Sequence, residues 1–353
     1  MKAEKKTVEI LKNNKFTINP INQRKFKIGF IVLFIFFSIF TFKGDIIVEE
    51  KNILSPYKKK LEDFCNNPDK YIDNEIENDI RLFDVNINNI SYQMYSTKKI
   101  FGLSGSLTDT KSFETKESLN ILEALRFYRN KLKIKNNKDI YMLDIGGSAG
   151  WYPSFLGRYD YTILSFEPFP RNYYISSKNY CLLNKNSNVV MINKGLGLEE
   201  KICSYYRDRD GALNGMILCD IDNSNRNFLM GGRFFKKGEV ILTRLSNFIP
   251  FLSDKNIALI KLDVEGFEER AIKGGIELIT KYHVPFVFLE FSPKFLKEHN
   301  SNPEHFIRFF VDNGYVISLN GFLDKNYISL EELLVKVGFQ INIYLIYQKY
   351  INN

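Results

Sequence analysis

Cysteine is scarce. The 353-residue chain has four, Cys65, Cys181, Cys203 and Cys219, and none stands in a C-x-x-C pair. That spacing argues against a zinc site. An even number permits disulfides in an oxidising compartment, with buried free thiols as the alternative. Internal repeats and low-complexity blocks are also missing. Nor does most of the chain carry much net charge. The formal total is +8, but residues 1–27 hold eight Lys and Arg against two Glu, which leaves +2 for everything after them. Nucleic-acid binding needs its basic residues on the folded part, so that partner class is set aside. With 44% hydrophobic and 15% aromatic residues, the remainder is long enough to bury a sizeable core.

One apolar stretch stands out. Ile28 to Phe42 has no charge and is bracketed by Lys27 and Lys43. As a helix it spans about 22 Å, against a hydrocarbon core of roughly 30 Å. Snorkelling of the flanking lysine stems and a thin membrane close that gap. A cleaved signal peptide fits less well, because the pairs Ile39/Thr41 and Phe42/Gly44 lack small residues at −3 and −1. A buried helix fits least, since the run is apolar on every face. The stretch therefore reads as the signal-anchor of a single-pass type II protein. Arg24, Lys25 and Lys27 keep the N-terminus cytosolic and send everything after Lys43 across an ER or Golgi membrane. The one N-x-S/T sequon, Asn89-Ile90-Ser91, lies beyond the anchor.

The expected layout is a basic tail over 1–27, an anchor over 28–43, an irregular stem over 44–110 and a folded domain over 111–353. Within the domain, Leu119, Leu122, Leu125, Tyr128 and Leu132 recur at helical spacing. After them, apolar runs alternate with longer mixed segments. The runs predict strands at Ile140–Ile145, Thr162–Phe166, Val189–Asn193, Val240–Thr243, Ile257–Leu262, Val284–Leu289, Tyr315–Leu319 and Ile341–Tyr347. Helices are predicted after Gly150, Arg171, Glu268 and Pro303. That alternation implies an α/β fold with a doubly wound, mostly parallel sheet.

The first predicted strand ends in Asp144-Ile145-Gly146-Gly147-Ser148-Ala149-Gly150. Glycines at Gly146 and Gly150 suit a tight turn that a ligand must approach closely. Asp144 is misplaced for a pyrophosphate but suited to an ammonium group. Glu167 ends the next strand, 21 residues after Gly146, where an acid accepts both hydroxyls of a ribose. Turn-capping and a solvated strand end are the ordinary roles of such acids, but the two together in strand–turn–helix order point to an adenosine ligand. The same turn also spells G-x-S-x-G, the hydrolase nucleophile elbow, with His283, His299 and His305 downstream. That reading leaves Asp144 and Glu167 without a purpose.

Further on, Lys261, Asp263 and Glu265 alternate at the carboxyl end of a strand, beside the crevice where open α/β sheets bind ligands. Asp263 is the candidate base, Lys261 the group that keeps it ionised, and Glu265 a supporting acid. A purely structural ion-pair cluster is the competing reading. A metal on Asp263 and Glu265 has no further ligand pattern behind it, and none is expected.

Four blocks in order resemble the FkbM family of methyltransferases: Leu143-Asp144-Ile145-Gly146 with Gly150; Phe166-Glu167-Pro168 with Asn172; Asn193-Lys194-Gly195-Leu196-Gly197; and Ile260-Lys261-Leu262-Asp263-Val264-Glu265-Gly266-Phe267-Glu268, followed by Gly274-Gly275 and Glu290. The sequence departs from the family at Ser148 and Ser246. The resemblance implies a Rossmann-like class I methyltransferase fold and S-adenosylmethionine as methyl donor, with Pro168 and Gly195 also at the cofactor. It also implies O-methylation of an alcohol, here a glycan, glycolipid or other small acceptor. The competing function is a type II membrane glycosyltransferase with a D-x-D metal site at Asp208 and Asp210; Asp220 and Asp222 make a second such pair. A non-enzymatic binding module on a degenerate fold is the third. The oligomeric state is not readable.

Overall fold

Apolar runs bounded by turn residues become strands buried on both faces, which is how parallel sheets read in sequence. The computed structural model describes residues 53–100, 102–183, 187–208, 213, 215–219 and 234–351. The expected tail and anchor, and Asp210, Asp220 and Asp222 of the D-x-D pairs, lie outside them. Among the described residues no helix is long and apolar enough to cross a membrane.

The described chain opens with helices α1 (Ser55–Asn66) and α2 (Asn74–Glu77), the hairpin β1 (Ile80–Ile87) and β2 (Ile90–Thr97), then α3 (Leu103–Thr110) and α4 (Thr115–Lys131). The alternating part follows as β3 (Ile140–Ile145), α5 (Trp151–Leu156), β4 (Thr162–Phe166), α6 (Pro170–Cys181) and β5 (Val189–Ile192). Next come four strands of a separate sheet: β6 (Gly195–Leu196), β7 (Lys201–Asp208), β8 (Gly215–Leu218) and β9 (Phe234–Thr243). The chain then forms α7 (Ile249–Leu252), β10 (Asn256–Leu262), α8 (Glu268–Lys273), α9 (Glu277–Thr280), β11 (Phe286–Phe291), α10 (Pro293–Glu298) and α11 (Pro303–Asp312). It ends with β12 (Tyr315–Ser318), β13 (Tyr327–Ile328), α12 (Leu330–Lys336) and β14 (Ile341–Tyr347).

The main sheet runs β13-β12-β14-β11-β10-β3-β4-β5. β5, β4, β3, β10 and β11 are mutually parallel, and β14 is antiparallel to both β11 and β12. β14 is interior to the sheet, with β12 and β13 outside it. The strand order reverses between β3 and β10, the topological switch point at which such sheets open a crevice. One apolar cluster containing Ile140, Met142 and Phe288 covers one face, and a second containing Leu143, Ile145 and Leu289 covers the other.

Two expectations need correcting. Val240–Thr243 belongs to the small sheet, not the main one, because β9 pairs with β7 and β6. The region expected to be an irregular stem is folded wherever it is described, and it belongs to one compact unit with the rest from Ile53 onward. Phe83, Val85 and Ile87 alternate on β1 and bury one face of the hairpin. Asn88 and Asn89, at φ 51° and 61°, form the two-residue turn whose twist matches its strands. Arg171 of α6 pairs with Asp79, Lys178 pairs with Glu77, and a disulfide joins Cys65 of α1 to Cys181 of α6. A second disulfide, Cys203–Cys219, clamps β7 to the end of β8. All four cysteines are thus oxidised.

Candidate active site

Side chains alternate along a strand, so neighbouring residues in register share a face. Asp144 of β3 is in register with Ser165 of β4 on one side and Lys261 of β10 on the other. The three make a polar row across an otherwise apolar face. Ser165 Oγ donates to Asp144 Oδ2 at 2.6 Å, and Lys261 Nζ lies 3.8 Å from Oδ1. The same ammonium donates to the Gly146 carbonyl at 2.7 Å and stands 3.2 Å from Asp263 Oδ2. Burial works against the Lys261 charge, but Asp263, Asp144 and Glu114 outweigh it and hold its pKa above the usual lysine range. This differs from the contact with a cofactor ammonium expected of Asp144. Fully buried beneath the turn, with its pKa pushed up by that burial, Asp144 is absent from the walls of both cavities described below. Its part is to hold Lys261.

The turn above this row accepts only glycine at its first position. Gly146 has φ +89°, and a β-carbon there would meet the Asp263 carbonyl oxygen at 1.8 Å. The amides of Gly146 and Gly147 both donate to the Phe166 carbonyl, locking β3's turn to β4. Gly150, at φ +80°, leads into α5.

Glu167 stands immediately after β4, at the strand tip where it was expected. Its Oε2 accepts from the Ser148 amide at 2.7 Å and its Oε1 from the Phe169 amide at 2.8 Å. Each oxygen keeps a second lone pair for a ligand. Burial pushes the carboxyl up to about 8 despite those two donors. Asn193 Nδ2 donates to the carbonyls of Glu167 and Pro168, fixing the Glu-Pro corner. Gly195 lies against Pro168, where a β-carbon would come within 3.3 Å.

The strand β10 stops at Leu262, and Glu265 takes the left-handed φ of +55°, so the expected alternation does not continue through all three charged residues. Glu268 holds the bend by accepting from the amides of Val264 and Gly266, and burial raises its carboxyl to about 7. Lys261, Asp263 and Glu265 nevertheless converge on one cleft.

That cleft has two parts. The smaller, about 110 Å³, is walled by Glu167, Pro168, Gly195 and apolar residues such as Phe166, Leu196 and Phe267. The larger, about 600 Å³, is walled by Trp151, Tyr152, Lys261, Glu290, Phe295 and Phe339, among others. Gly146, Ser148, Asp263 and Glu265 line both and so mark their junction. Gly215 also lines both, Met216 the larger and Ile217 the smaller, so the small sheet roofs the cleft. The site suits an adenosine-containing ligand: a buried carboxylate with spare lone pairs, apolar walls beside it, and a glycine turn open to close approach.

None of the three histidines lines either part of the cleft, so Ser148 has no partner for hydrolase chemistry. His283 stacks on Tyr347 at 4.5 Å. His299 is buried against Phe267; burial and then Arg270 depress it to about 4. Among the described residues no cluster of three or more His, Cys, Asp or Glu is arranged to hold a metal ion.

Glu114 was not anticipated. It stands ahead of α4 at φ +39°, lines the larger cavity and accepts from the Tyr152 hydroxyl at 2.6 Å. No local motif marks it. Burial pushes its pKa from 4.5 up to about 7. Between those values the unfolded chain releases a proton that the folded one keeps, so stability falls as pH rises through this window and stays lower beyond it. Partial exposure reduces the full value of the shift to about 2 kcal/mol. Glu114→Gln still accepts from Tyr152 but does not titrate. Urea unfolding is expected to find it no more stable than the parent below the window and about 2 kcal/mol more stable above it. A constant difference across pH would exclude this account.

A family profile for the methyltransferase FkbM domain matches residues 144–317. No curated protein matches the chain. Among solved structures, a TehB-like SAM-dependent methyltransferase from Corynebacterium glutamicum is 9% identical, with 65% of this chain and 98% of that one covered and a TM-score of 0.30. The plantazolicin methyltransferase BamL, in complex with a triazolic desmethylPZN analog and SAH, is 12% identical, with 69% and 87% covered and a TM-score of 0.33. Nothing in these comparisons supports the glycosyltransferase alternative. The matched segment opens at Asp144, spans the glycine turn, the Glu-Pro corner and the Lys261–Glu268 block, and closes on β12: residues 144–317 are an FkbM methyltransferase domain, and the protein is an S-adenosylmethionine-dependent methyltransferase.

Proposed function

We propose that this enzyme methylates a hydroxyl oxygen on a glycan, glycolipid or other small alcohol, working on the luminal side of an ER or Golgi membrane to which residues 28–43 anchor it. One observation supports the chemistry above the others. Asp263, whose carboxylate is 29% exposed and paired with the buried Lys261, lines both parts of the cleft where they meet. S-adenosylmethionine supplies an electrophilic methyl carbon on a positively charged sulfur. What the chain must supply is alignment and a proton acceptor. Glu167 holds the ribose hydroxyls, and Ile145, Phe166, Leu196 and Phe267 enclose the base. The acceptor alcohol enters the larger cavity and gives its proton to Asp263 as its oxygen gains a bond to the methyl carbon and the methyl–sulfur bond breaks, that bond's electron pair staying on the departing, now neutral, sulfur. Lys261 Nζ, 3.2 Å from Asp263 Oδ2, orients that carboxylate, and Glu265 borders the acceptor at the junction.

Mass spectrometry of glycans and glycolipids from cells with and without the protein tests this reading. A 14-dalton (one CH₂) difference that depends on the protein is the expected result, and identical profiles in both fractions would count against this acceptor class. The two disulfides support an oxidising compartment, since such bridges are rare where thiols are kept reduced. Asn89 supports it too, because its sequon sits at the exposed tip of the β1–β2 turn, open to a glycosylating enzyme. Full-length protein from a eukaryotic host is expected to migrate faster after peptide-N-glycosidase treatment, and Asn89→Gln to abolish that shift. Unchanged migration of the parent protein would argue for a non-luminal domain.

A further inference from the structure

Glu290 has no part in the chemistry above, yet it stands next to the candidate base. In the parallel ladder Leu262 of β10 faces Leu289 of β11, so Glu290 comes level with Asp263 just where β10 ends. Its other neighbour is Asn342 of β14, whose side chain donates to Glu117. Glu290 is the one residue of β11 that is not fully buried, and it lines the larger cavity only, whereas Asp263 lines both parts. The register and the shared cavity wall set the Glu290 and Asp263 carboxyl groups side by side, and Asp263 helps to push the Glu290 carboxyl up. Two carboxylates so placed oppose each other's ionisation, which favours a proton on one of them.

The surroundings decide which member carries it. Lys261 Nζ lies 3.2 Å from Asp263 Oδ2 and stabilises the anion there. Glu290 is mostly buried and faces two more acids, Asp263 and Glu265, with Lys261 opposing them. Glu114 stands on the same cavity wall, as do Lys294 and Glu298 of α10, which pair with each other at 3.9 Å. Burial and the acidic neighbours together place the Glu290 pKa well above the usual carboxylate range.

We infer that Glu290 is a positioning residue for methyl transfer: as a neutral carboxylic acid it donates a hydrogen bond to Asp263, which is held between that donor and Lys261 with a free lone pair for the acceptor hydroxyl. The acceptor's proton moves to Asp263, the electron pair of the broken O–H bond stays on oxygen, and the Glu290 proton does not leave. Without this donor, Asp263 is tethered by Lys261 alone and is free to swing toward it, away from the junction. The inference rests on the O-methylation reading for its purpose, but the proton arrangement itself exists without an acceptor.

Infrared difference spectroscopy of the full-length protein, titrated from neutral to alkaline pH, measures that arrangement directly. The parent protein is expected to show a carboxylic-acid carbonyl band that survives neutral pH and disappears on alkaline titration. Glu290→Gln should lack that band. Asp263→Asn should keep it but lose it at lower pH, because the neighbouring charge is gone. Binding of S-adenosylhomocysteine, followed by calorimetry, is expected to be unchanged in both variants and confirms that they fold. Persistence of the band in Glu290→Gln, or an unmoved titration in Asp263→Asn, overturns the inference. On the glycan fraction from cells lacking the protein, Glu290→Ala should lower turnover about 100-fold through misplacement of Asp263, and Glu290→Gln should restore most of it. Equal loss in both variants would also overturn it. Failure of the fraction to accept methyl from the parent protein would instead refute the acceptor class and leave the infrared result standing.

Discussion

Asp263→Asn is expected to lower methyl transfer about a thousandfold while leaving cofactor affinity intact, the range that loss of a positioned general base produces. The substitution keeps the shape of the side chain and removes only its ability to take a proton. Lys261 retains Asp144 and the Gly146 carbonyl as partners, so the buried ammonium is not stranded and the strand ends should hold. Glu167 and the glycine turn, which form the smaller cavity, do not depend on the Asp263 charge for any hydrogen bond. Some activity should remain, because alignment alone accounts for a large part of such catalysis. The measurement is transfer of labelled methyl to the glycan fraction described above, with calorimetry of S-adenosylhomocysteine alongside. Turnover within a few-fold of the parent protein would remove Asp263 from the reaction, and joint loss of turnover and binding would make it a structural residue. A drop in stability at unchanged turnover would point to the ion-pair cluster as its purpose.

Apart from the two-residue, half-buried β13, the strands of the main sheet were legible because they are largely apolar and bounded by turn residues, and β3, β4 and β14 match their predicted limits. Glu167 was legible for a similar reason: its place depends on the local strand–turn–helix order and on its spacing from Gly146. What failed was whatever depends on distant partners. The β1–β2 hairpin buries only one face, so its signal is just Phe83, Val85 and Ile87 alternating among Asn and Asp, and these were read as part of a stem. The β9 strand was recognised as a strand, but its assignment to a second sheet rests on pairing with β7 and β6, which no local pattern encodes. Asp144 was assigned to the ligand because it precedes the turn, yet the pleat points it sideways into the row with Ser165 and Lys261. Glu114 carries no local motif, and only the folded cleft brings it to the wall that also holds Glu290. The period-2 alternation in 80–87, followed by Asn88-Asn89, was the one missed signal that sequence reasoning had within reach.

Gly146→Ala is expected to be the most damaging single substitution in the protein. The new methyl group would sit 1.8 Å from the Asp263 carbonyl oxygen, and the clash is with backbone, not with a side chain that can rotate away. Nor can either partner retreat. The Gly146 and Gly147 amides are tied to Phe166, the Gly146 carbonyl is held by Lys261, and the Asp263 amide donates to the Ile145 carbonyl. A φ of +89° adds strain for any residue with a β-carbon. Overpacking and an unfavourable φ each cost about 1–3 kcal/mol, so a combined loss of roughly 4 kcal/mol is expected, much of the total stability of a typical domain. Whatever relief occurs must come from moving the loop after β10, which carries Asp263 and Glu265, so any folded fraction should also bind S-adenosylhomocysteine weakly. A control separates this from a general intolerance of alanine. Gly105, inside α3, has an ordinary φ and an ordinary 3.6 Å contact to Ile100 at the same added atom. Gly105→Ala should therefore stabilise the protein by about 0.5–1 kcal/mol. Urea midpoints moving in opposite directions for the two variants would establish that the glycine turn is shaped by its contact with the loop bearing the base. An unmoved midpoint in Gly146→Ala would show that the two segments are not in contact as described.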